Sequence, residues 1–178
     1  MSTVQRHQSN LSYKVMAAYL KFRERFRKPD VFVQELGIAE GDKVLDYGCG
    51  VGSYSIPLAK TVGDSGKVYA LDIHPLAIEW VRKRAQKEEL DNIETIQSDL
   101  ATGIEDEYLD YALLIDVWTW VSDKKGLLKE VYRIMKPQAK LVILIDHASP
   151  EGAKSIVNGS GLFDFVKQDD NVLHYEKA

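Results

Sequence analysis

The order of strand-like and helix-like segments constrains this chain most. After residue 42, short apolar runs typical of strands alternate with longer segments whose apolar residues recur every three or four positions, as in an amphipathic helix. Such alternation requires right-handed crossovers, which produce a parallel sheet with helices on both faces. The predicted strands are Lys43 to Tyr47, Lys67 to Leu71, Ile93 to Gln97, Tyr108 to Ile115, Lys140 to Asp146, Phe163 to Lys167 and Asn171 to Glu176. The predicted helices between them are Ser53 to Thr61, Pro75 to Glu88, Lys124 to Met135 and Pro150 to Asn158.

The last two predicted strands are too close in sequence for a crossover, so they form an antiparallel hairpin. The expected fold is therefore α/β, a doubly wound seven-stranded sheet that is mostly parallel with an antiparallel last strand. Ligands of such sheets bind outside the carboxyl ends of the strands, at the point where the strand order reverses. The loops that follow the first strands are therefore where chemistry is expected.

Two helices are predicted before the sheet, from Leu11 to Lys28 and from Pro29 to Leu36. We expect residues 1–36 to form an N-terminal helical cap and residues 37–178 the core of a single domain, since 178 residues suit one domain. Residues 1–30 carry seven Lys/Arg and two acidic residues, a net charge of +5 that leaves −9 for the rest. Tyr13 and Tyr19 on the first helix are interpreted as packing residues, with a lid over the site as the alternative.

Composition excludes several classes of protein. Cys49 is the only cysteine, which rules out an internal disulfide and a multi-cysteine zinc site, and we expect no metal. No apolar run is long enough for a membrane span, and the first ten residues lack the apolar core of a secretory signal, so a cytoplasmic protein is expected. The net charge of −4 and the pI of about 5.6 argue against a nucleic-acid partner.

A glycine loop follows the first predicted strand. Gly48, Gly50 and Gly52 permit a tight turn and close approach of a ligand, and the amides at the following helix start suit an anion. Ser53 and Ser55 are able to cap the first turn of that helix. Asp46, two residues before the first glycine, would repel a pyrophosphate but accept hydrogen bonds from an ammonium group. These residues predict a ligand that carries a positive amine.

The segment from Val44 to Gly52, VLDYGCGVG, resembles the first motif of class I S-adenosylmethionine-dependent methyltransferases. Further matches follow at Asp72, which stands 26 residues after Asp46, at Ser98 to Leu100 and at Asp110 to Trp118. Met135 to Leu141 matches the turn before the fifth strand, with Gln138 and Ala139 in place of the usual glycines. The resemblance covers about Pro29 to Lys177. It is greatest to the small-molecule branch that includes the ubiquinone and menaquinone-biosynthesis enzymes, through residues 117–123 and 128–137.

The resemblance implies a Rossmann-like fold and S-adenosylmethionine as cofactor, with S-adenosylhomocysteine as product. It implies that Asp72 accepts from the ribose hydroxyls and Asp99 from the adenine amine, although Asp72 could instead cap the next helix, and that Leu100 packs or offers its amide. The implied cofactor-binding residues are Asp46, Tyr47, Gly48, Cys49, Gly50, Gly52, Asp72, Ile73, Asp99, Leu100 and Asp116. Cys49 is interpreted as a small filler and not as a nucleophile.

The catalytic residues are less constrained, because in-line methyl transfer depends mainly on positioning and exclusion of water. His147 and Asp116, at predicted strand ends, are the two candidates for a base, with cofactor positioning the preferred role of Asp116. Trp118 and Trp120, with Tyr47 and Tyr54, are candidates to wall an apolar or aromatic acceptor, and packing is the alternative.

A methyltransferase that acts on a small molecule is the function that this pattern favours. The sixth predicted strand follows the fifth too closely for an inserted recognition domain, which suits a small acceptor. Three alternatives stay open: a non-catalytic cofactor-binding or partner subunit, an RNA methyltransferase that uses the basic first helix, and an NAD-dependent oxidoreductase. The sequence does not predict the oligomeric state.

Overall fold

The computed structural model describes residues 13–15, 28–146 and 148–178, and its centre is one seven-stranded sheet. The strands are β1 (Lys43–Tyr47), β2 (Lys67–Asp72), β3 (Ile93–Gln97), β4 (Leu109–Ile115), β5 (Met135–Leu144), β6 (Phe163–Asp169) and β7 (Val172–Lys177). The helices are α1 (Pro29–Glu35), α2 (Ser55–Val62), α3 (Pro75–Lys87), α4 (Lys124–Ile134) and α5 (Pro150–Ser160), with a 3-10 turn at Trp118–Trp120. The predicted helix from Leu11 to Lys28 lies outside the described residues except for residues 13–15, which are helical, and Lys28.

The strands lie in the order β3-β2-β1-β4-β5-β7-β6. β1 pairs in parallel with both β2 and β4, and β4 pairs in parallel with β5. β7 inserts between β5 and β6 and is antiparallel to both. The predicted doubly wound, mostly parallel sheet is confirmed, and the order reverses beside β1. The carboxyl ends of β1 to β5 therefore meet at one edge of the sheet.

Helices cover both faces of the sheet, as the alternating side chains of the strands require. On one face, Leu45 and Leu114 pack against α4 and α5. On the other face, Val44 and Leu113 pack against α1 and α2. Cys49 packs with Ala70 of β2 and Val81 of α3. These layers fix the ends of the strands, and with them the position of the loops.

The fifth strand differs from the prediction. It begins at Met135 and not at Lys140, and it ends at Leu144. The pairing of β4 with β5 shifts register between Leu109 and Tyr111, and Gln138 has φ of 65°, a left-handed conformation that usually favours glycine. The predicted turn is thus an irregularity inside a longer strand. It lies at the amino end of β5, far from the carboxyl edge.

Two kinds of feature, a membrane-spanning helix and a metal-binding cluster, are absent from the described residues. No helix in residues 13–15, 28–146 and 148–178 combines the length and apolar character of a membrane span. Within the same ranges, no three His, Cys, Asp or Glu side chains are grouped so that they could hold a metal ion.

Candidate functional site

The glycine loop, residues 48–52, connects β1 to α2 and bends back against two neighbouring elements. Gly48, Gly50 and Gly52 have φ of 78°, 55° and 78°. A Cβ on Gly48 would lie 2.5 Å from Cγ2 of Val117, after β4, and one on Gly52 would lie 3.1 Å from Cγ2 of Val81 in α3. Gly48 and Gly52 are therefore required by close packing as well as by backbone conformation.

Four amides of the loop are used inside the protein. Gly48 N and Cys49 N donate to the carbonyl of Leu71 at 2.7 and 2.9 Å, and Gly52 N donates to the carbonyl of Cys49 at 2.9 Å. Gly50 N donates to Oδ2 of Asp72 at 3.0 Å. These four amides tie the loop to itself and to the end of β2; the amides at the start of α2, which were expected to suit an anion, are not among them.

Asp72 lies at the carboxyl end of β2 and is only 9% exposed. Besides Gly50 N, its carboxylate accepts from His74 N at 2.8 Å through Oδ1. Burial raises the pKa of Asp72, and the bonds from the two amides oppose that rise. The N-cap of α3 is His74, whose Nδ1 accepts from Leu76 N at 3.2 Å. Asp72 thus orders the chain before the helix but is not its N-cap.

Asp46 lies behind the glycine loop and is 2% exposed. Its Oδ2 accepts a hydrogen bond from Oγ of Ser55 at 2.5 Å. Burial raises the pKa of Asp46 to about 6; the bond from Ser55 lowers it in part, and the charge of Asp72 raises it. Two carboxylates are therefore close together at the ends of adjacent strands.

The start of α2 explains the partner of Asp46. The helix begins at Ser55, and Tyr54 is an N-cap without a side-chain capping bond. The predicted helix start at Ser53 is therefore too early. Ser55 is fully buried and directs its hydroxyl to Asp46, so its expected capping role is replaced by a contact with the acid of the preceding strand.

The end of β3 contributes a third acid. The hydroxyl of Tyr47 donates to the carbonyl of Asp99, which joins the ends of β1 and β3, while the side chain of Asp99 is exposed. The amide of Leu100 donates to Oγ of Ser98 at 3.3 Å, and its side chain packs against the core. Ile73, next to Asp72, is half-buried.

The ends of β4 and β5 form the other half of this edge. Asp116 has φ of 57°, and its Oδ1 accepts from the amide of Asp146 at 3.2 Å. Both acids lie beside a shallow depression that is lined also by Trp118, Thr119, Leu144 and Ile145. His147, the other candidate base, lies outside the described residues.

The four aromatic residues expected to wall an acceptor do not converge. Trp118 is 4% exposed and belongs, with Tyr47, to the core under α4 and α5. Tyr54 packs edge-on against Phe32 on the opposite face, with ring centroids 5.6 Å apart. Trp120 is 66% exposed and is the one of the four that faces solvent. The four rings therefore do not form one wall: Trp118 lines the shallow depression, Trp120 faces solvent, and Tyr47 and Tyr54 pack in the core.

The structure adds His74 to the site and gives the contacts of Ser55 and Tyr13, which were expected to be a helix cap and a packing residue or lid. Ser55 and His74 contact Asp46 and Asp72, and Tyr13 stacks on His74 with ring centroids 3.7 Å apart. The position of His74 before Pro75, at a helix start, was the available signal for a capping residue. Burial raises the pKa of the Cys49 thiol, which agrees with its interpretation as a filler.

The chain is similar in sequence to known methyltransferases. A family model described as "Methyltransferase domain" matches residues 38–160. A demethylmenaquinone methyltransferase of Geobacillus sp. (strain WCH70) is 29% identical over 133 residues, which is 74% of this chain and 57% of the relative. The chain thus spans little more than half the length of that curated relative.

Solved structures share the fold. A SAM dependent methyltransferase from Aquifex aeolicus has a TM-score of 0.85 at 23% identity, with 92% of this chain and 98% of that one covered. The [4+2]-cyclase SpnF has a TM-score of 0.70 at 16% identity, with 82% and 59% covered. Because a methyltransferase and a cyclase share this fold, these likenesses bear on the fold and leave the reaction to be argued from the site.

Proposed function

Because the chain belongs to the methyltransferase-domain family, we propose that it transfers a methyl group from S-adenosylmethionine to a small-molecule acceptor and releases S-adenosylhomocysteine. One observation carries the proposal. The loop at the switch point is flanked by the carboxylates of Asp46 and Asp72, while four of its amides already donate inside the protein. Negative charge with few free donors suits a ligand that carries an amine, a sulfonium and hydroxyl groups.

The same observation weighs against a dinucleotide. A pyrophosphate needs amides or positive charge at the helix start. Here four amides of the glycine loop donate to groups inside the protein. Two carboxylates, those of Asp46 and Asp72, would repel the phosphates. The contacts of the loop therefore weigh against an NAD-dependent oxidoreductase.

The proposed cofactor-binding residues follow the edge of the sheet. Asp72 would accept from the ribose hydroxyls, since a carboxylate has about four acceptor sites and the backbone amides occupy only part of them. Asp99 has an exposed carboxylate suited to an exocyclic amine. The remaining proposed residues are Asp46, Tyr47, Gly48, Cys49, Gly50, Gly52, Ile73, Leu100 and Asp116.

The acceptor would lie near the ends of β4 and β5. When bound, the cofactor supplies the electrophilic methyl group. The chain has to orient the acceptor and exclude water. The depression beside Asp116 and Asp146 and the exposed Trp120 are the features available for this. The name of the relative, a demethylmenaquinone methyltransferase, supports a small acceptor with an aromatic ring. Asp116 is the described candidate base, with cofactor positioning its preferred role.

Calorimetric titration tests the proposal. We expect S-adenosylmethionine and S-adenosylhomocysteine to bind and NAD not to bind. Asp72→Ala should abolish binding, whereas Asp164→Ala, which removes an exposed carboxylate of β6, should not. Circular dichroism establishes that both variants are folded. Transfer of labelled methyl groups to demethylmenaquinol and to bulk RNA then separates the two acceptor classes. Absence of binding by the unaltered chain, or binding of NAD alone, would contradict the proposal.

A further inference from the structure

Tyr13 packs on two aromatic residues that follow Asp72 in the chain. Its ring stacks on the imidazole of His74 with centroids 3.7 Å apart and planes within 5°. The indole of Trp80 in α3 is 5.6 Å away on centroids. Tyr13 is 5% exposed, although the neighbouring Val15 is 66% exposed. The segment 13–15 therefore contacts the candidate site through Tyr13.

The hydroxyl of Tyr13 is buried and has no hydrogen-bond partner in the described part of the chain. Burial raises the pKa of Tyr13, and the nearby charges of Asp72 and then Cys49 raise it further. The stack on His74, whose amide donates to Asp72, places Tyr13 beside the end of β2. A buried hydroxyl without a partner is unfavourable, because it has lost its bonds to water. Its position suggests a partner that is not part of the protein.

Asp72 supplies hydrogen-bond acceptors for the same ligand. Its carboxylate has about four acceptor sites, and the backbone amides of Gly50, His74 and Ile73 occupy only part of them. A vicinal diol next to Asp72 would donate to it through its hydroxyl hydrogens and retain oxygen lone pairs. The phenol of Tyr13 has a hydrogen to donate to those lone pairs.

We propose that Tyr13 is a cofactor-binding residue whose hydroxyl donates to the ribose diol that Asp72 holds, an inference that rests on the proposed function. The stack on His74 holds the ring beside the end of β2, and because the hydroxyl is buried, the groups around it have to shift to admit the ribose. His74 in turn is fixed by its bond from Leu76 N at the start of α3. Residues from before the sheet thus complete the ribose site.

Calorimetry with two ligands tests this inference. We expect Tyr13→Phe, which keeps the ring stack, to weaken binding of S-adenosylhomocysteine about tenfold, the loss typical of one hydrogen bond. The 2′,3′-dideoxyribose analogue should bind the variant and the unaltered chain equally. Tyr132→Phe is the matched control, because Tyr132 lies against Phe163 and its hydroxyl bonds the carbonyl of Ala178. It should leave both affinities unchanged.

The contrary outcomes are distinct. Equal affinities of Tyr13→Phe and the unaltered chain for S-adenosylhomocysteine would overturn the inference alone. So would an equal loss for both ligands, or tighter binding by Tyr13→Ala, which would mean that the ring occupies the space of the ligand. No binding of S-adenosylhomocysteine by the unaltered chain would overturn the inference and the proposed function together.

Discussion

Asp46 holds a negative charge inside the protein, and this charge opposes folding at neutral pH. The folded state raises its pKa from 3.8 to about 6, so the folded chain binds the proton more tightly than the unfolded chain does. The stabilising contribution of the protonated acid is therefore present at low pH and is lost as the pH rises through about 6. A group kept under this penalty is typical of a functional site.

Substitution of Asp46 by Asn should therefore stabilise the chain. The amide removes the buried charge, and its oxygen can still accept from Ser55. At pH 8 we expect Asp46→Asn to raise the free energy of unfolding by about 1 to 3 kcal/mol, with a smaller gain at pH 5. Urea unfolding at both pH values measures the difference. A lower stability at pH 8 than the unaltered chain would contradict the prediction.

At the residue scale, the positions of the acidic residues could be predicted from the sequence better than their hydrogen-bond partners could. Asp46 and Asp72 could be placed at strand ends because strand and helix periodicities bracket them. The use of the loop amides could not be predicted, because their acceptors, Leu71 and Asp72, are set by the register of β1 against β2. The contact of Tyr13 with His74 joins residues that no local pattern relates.

At the scale of elements, two glycines near the end of α5 differ in backbone conformation but not in the space around them. Gly159 lies within the helix, and Gly161 is its C-cap with φ of 66°. A Cβ at either position would meet no atom within 4 Å. The backbone conformation, and not space, therefore distinguishes the two glycines.

Alanine at these two positions should act in opposite directions. We expect Gly159→Ala to stabilise the chain by about 0.5 kcal/mol, because alanine loses less backbone entropy in a helix. Gly161→Ala should destabilise it by about 1 kcal/mol, because an L side chain disfavours positive φ. Thermal unfolding of both variants measures the two shifts. Changes of the same sign would show that something other than backbone conformation decides them.

Element bounds were predictable where the local pattern is complete. β1 and β3 begin and end where their predicted strand-like runs do. β5 starts five residues before its predicted start, because Met135 already pairs with β4. Pro137 and Gln138, which are typical of a turn, lie in the irregular stretch before pairing resumes. The start of α2 was misjudged because the hydroxyl of Ser55 bonds Asp46.

At the scale of the whole molecule, the last strand completes the sheet. β7 inserts between β5 and β6, so the strand made last occupies an interior position. Its Lys177 is buried and donates from Nζ to the carbonyl of Met135 at 2.7 Å. A hairpin between the last strands was predictable from the short connection. Which of its strands pairs with β5 was not, because that depends on packing of both faces.

The candidate site joins several of these elements, which links ligand binding to global stability. The glycine loop and Asp72 connect the ends of β1 and β2 to the starts of α2 and α3. A ligand held there binds the folded chain and not the unfolded one, because unfolding disperses these groups. At a hundredfold excess over its dissociation constant, such a ligand adds about 2.7 kcal/mol to the free energy of unfolding.

We therefore expect S-adenosylhomocysteine at that excess to raise the midpoint of thermal unfolding by about 5 to 10 °C, as is typical for a chain of this size. Asp72→Ala should unfold at the same temperature with and without S-adenosylhomocysteine, and NAD should leave the unaltered chain unchanged. Differential scanning calorimetry measures all three. An equal rise with NAD would assign the stabilisation to a general nucleotide site, and a rise retained in Asp72→Ala would place the ligand away from the end of β2.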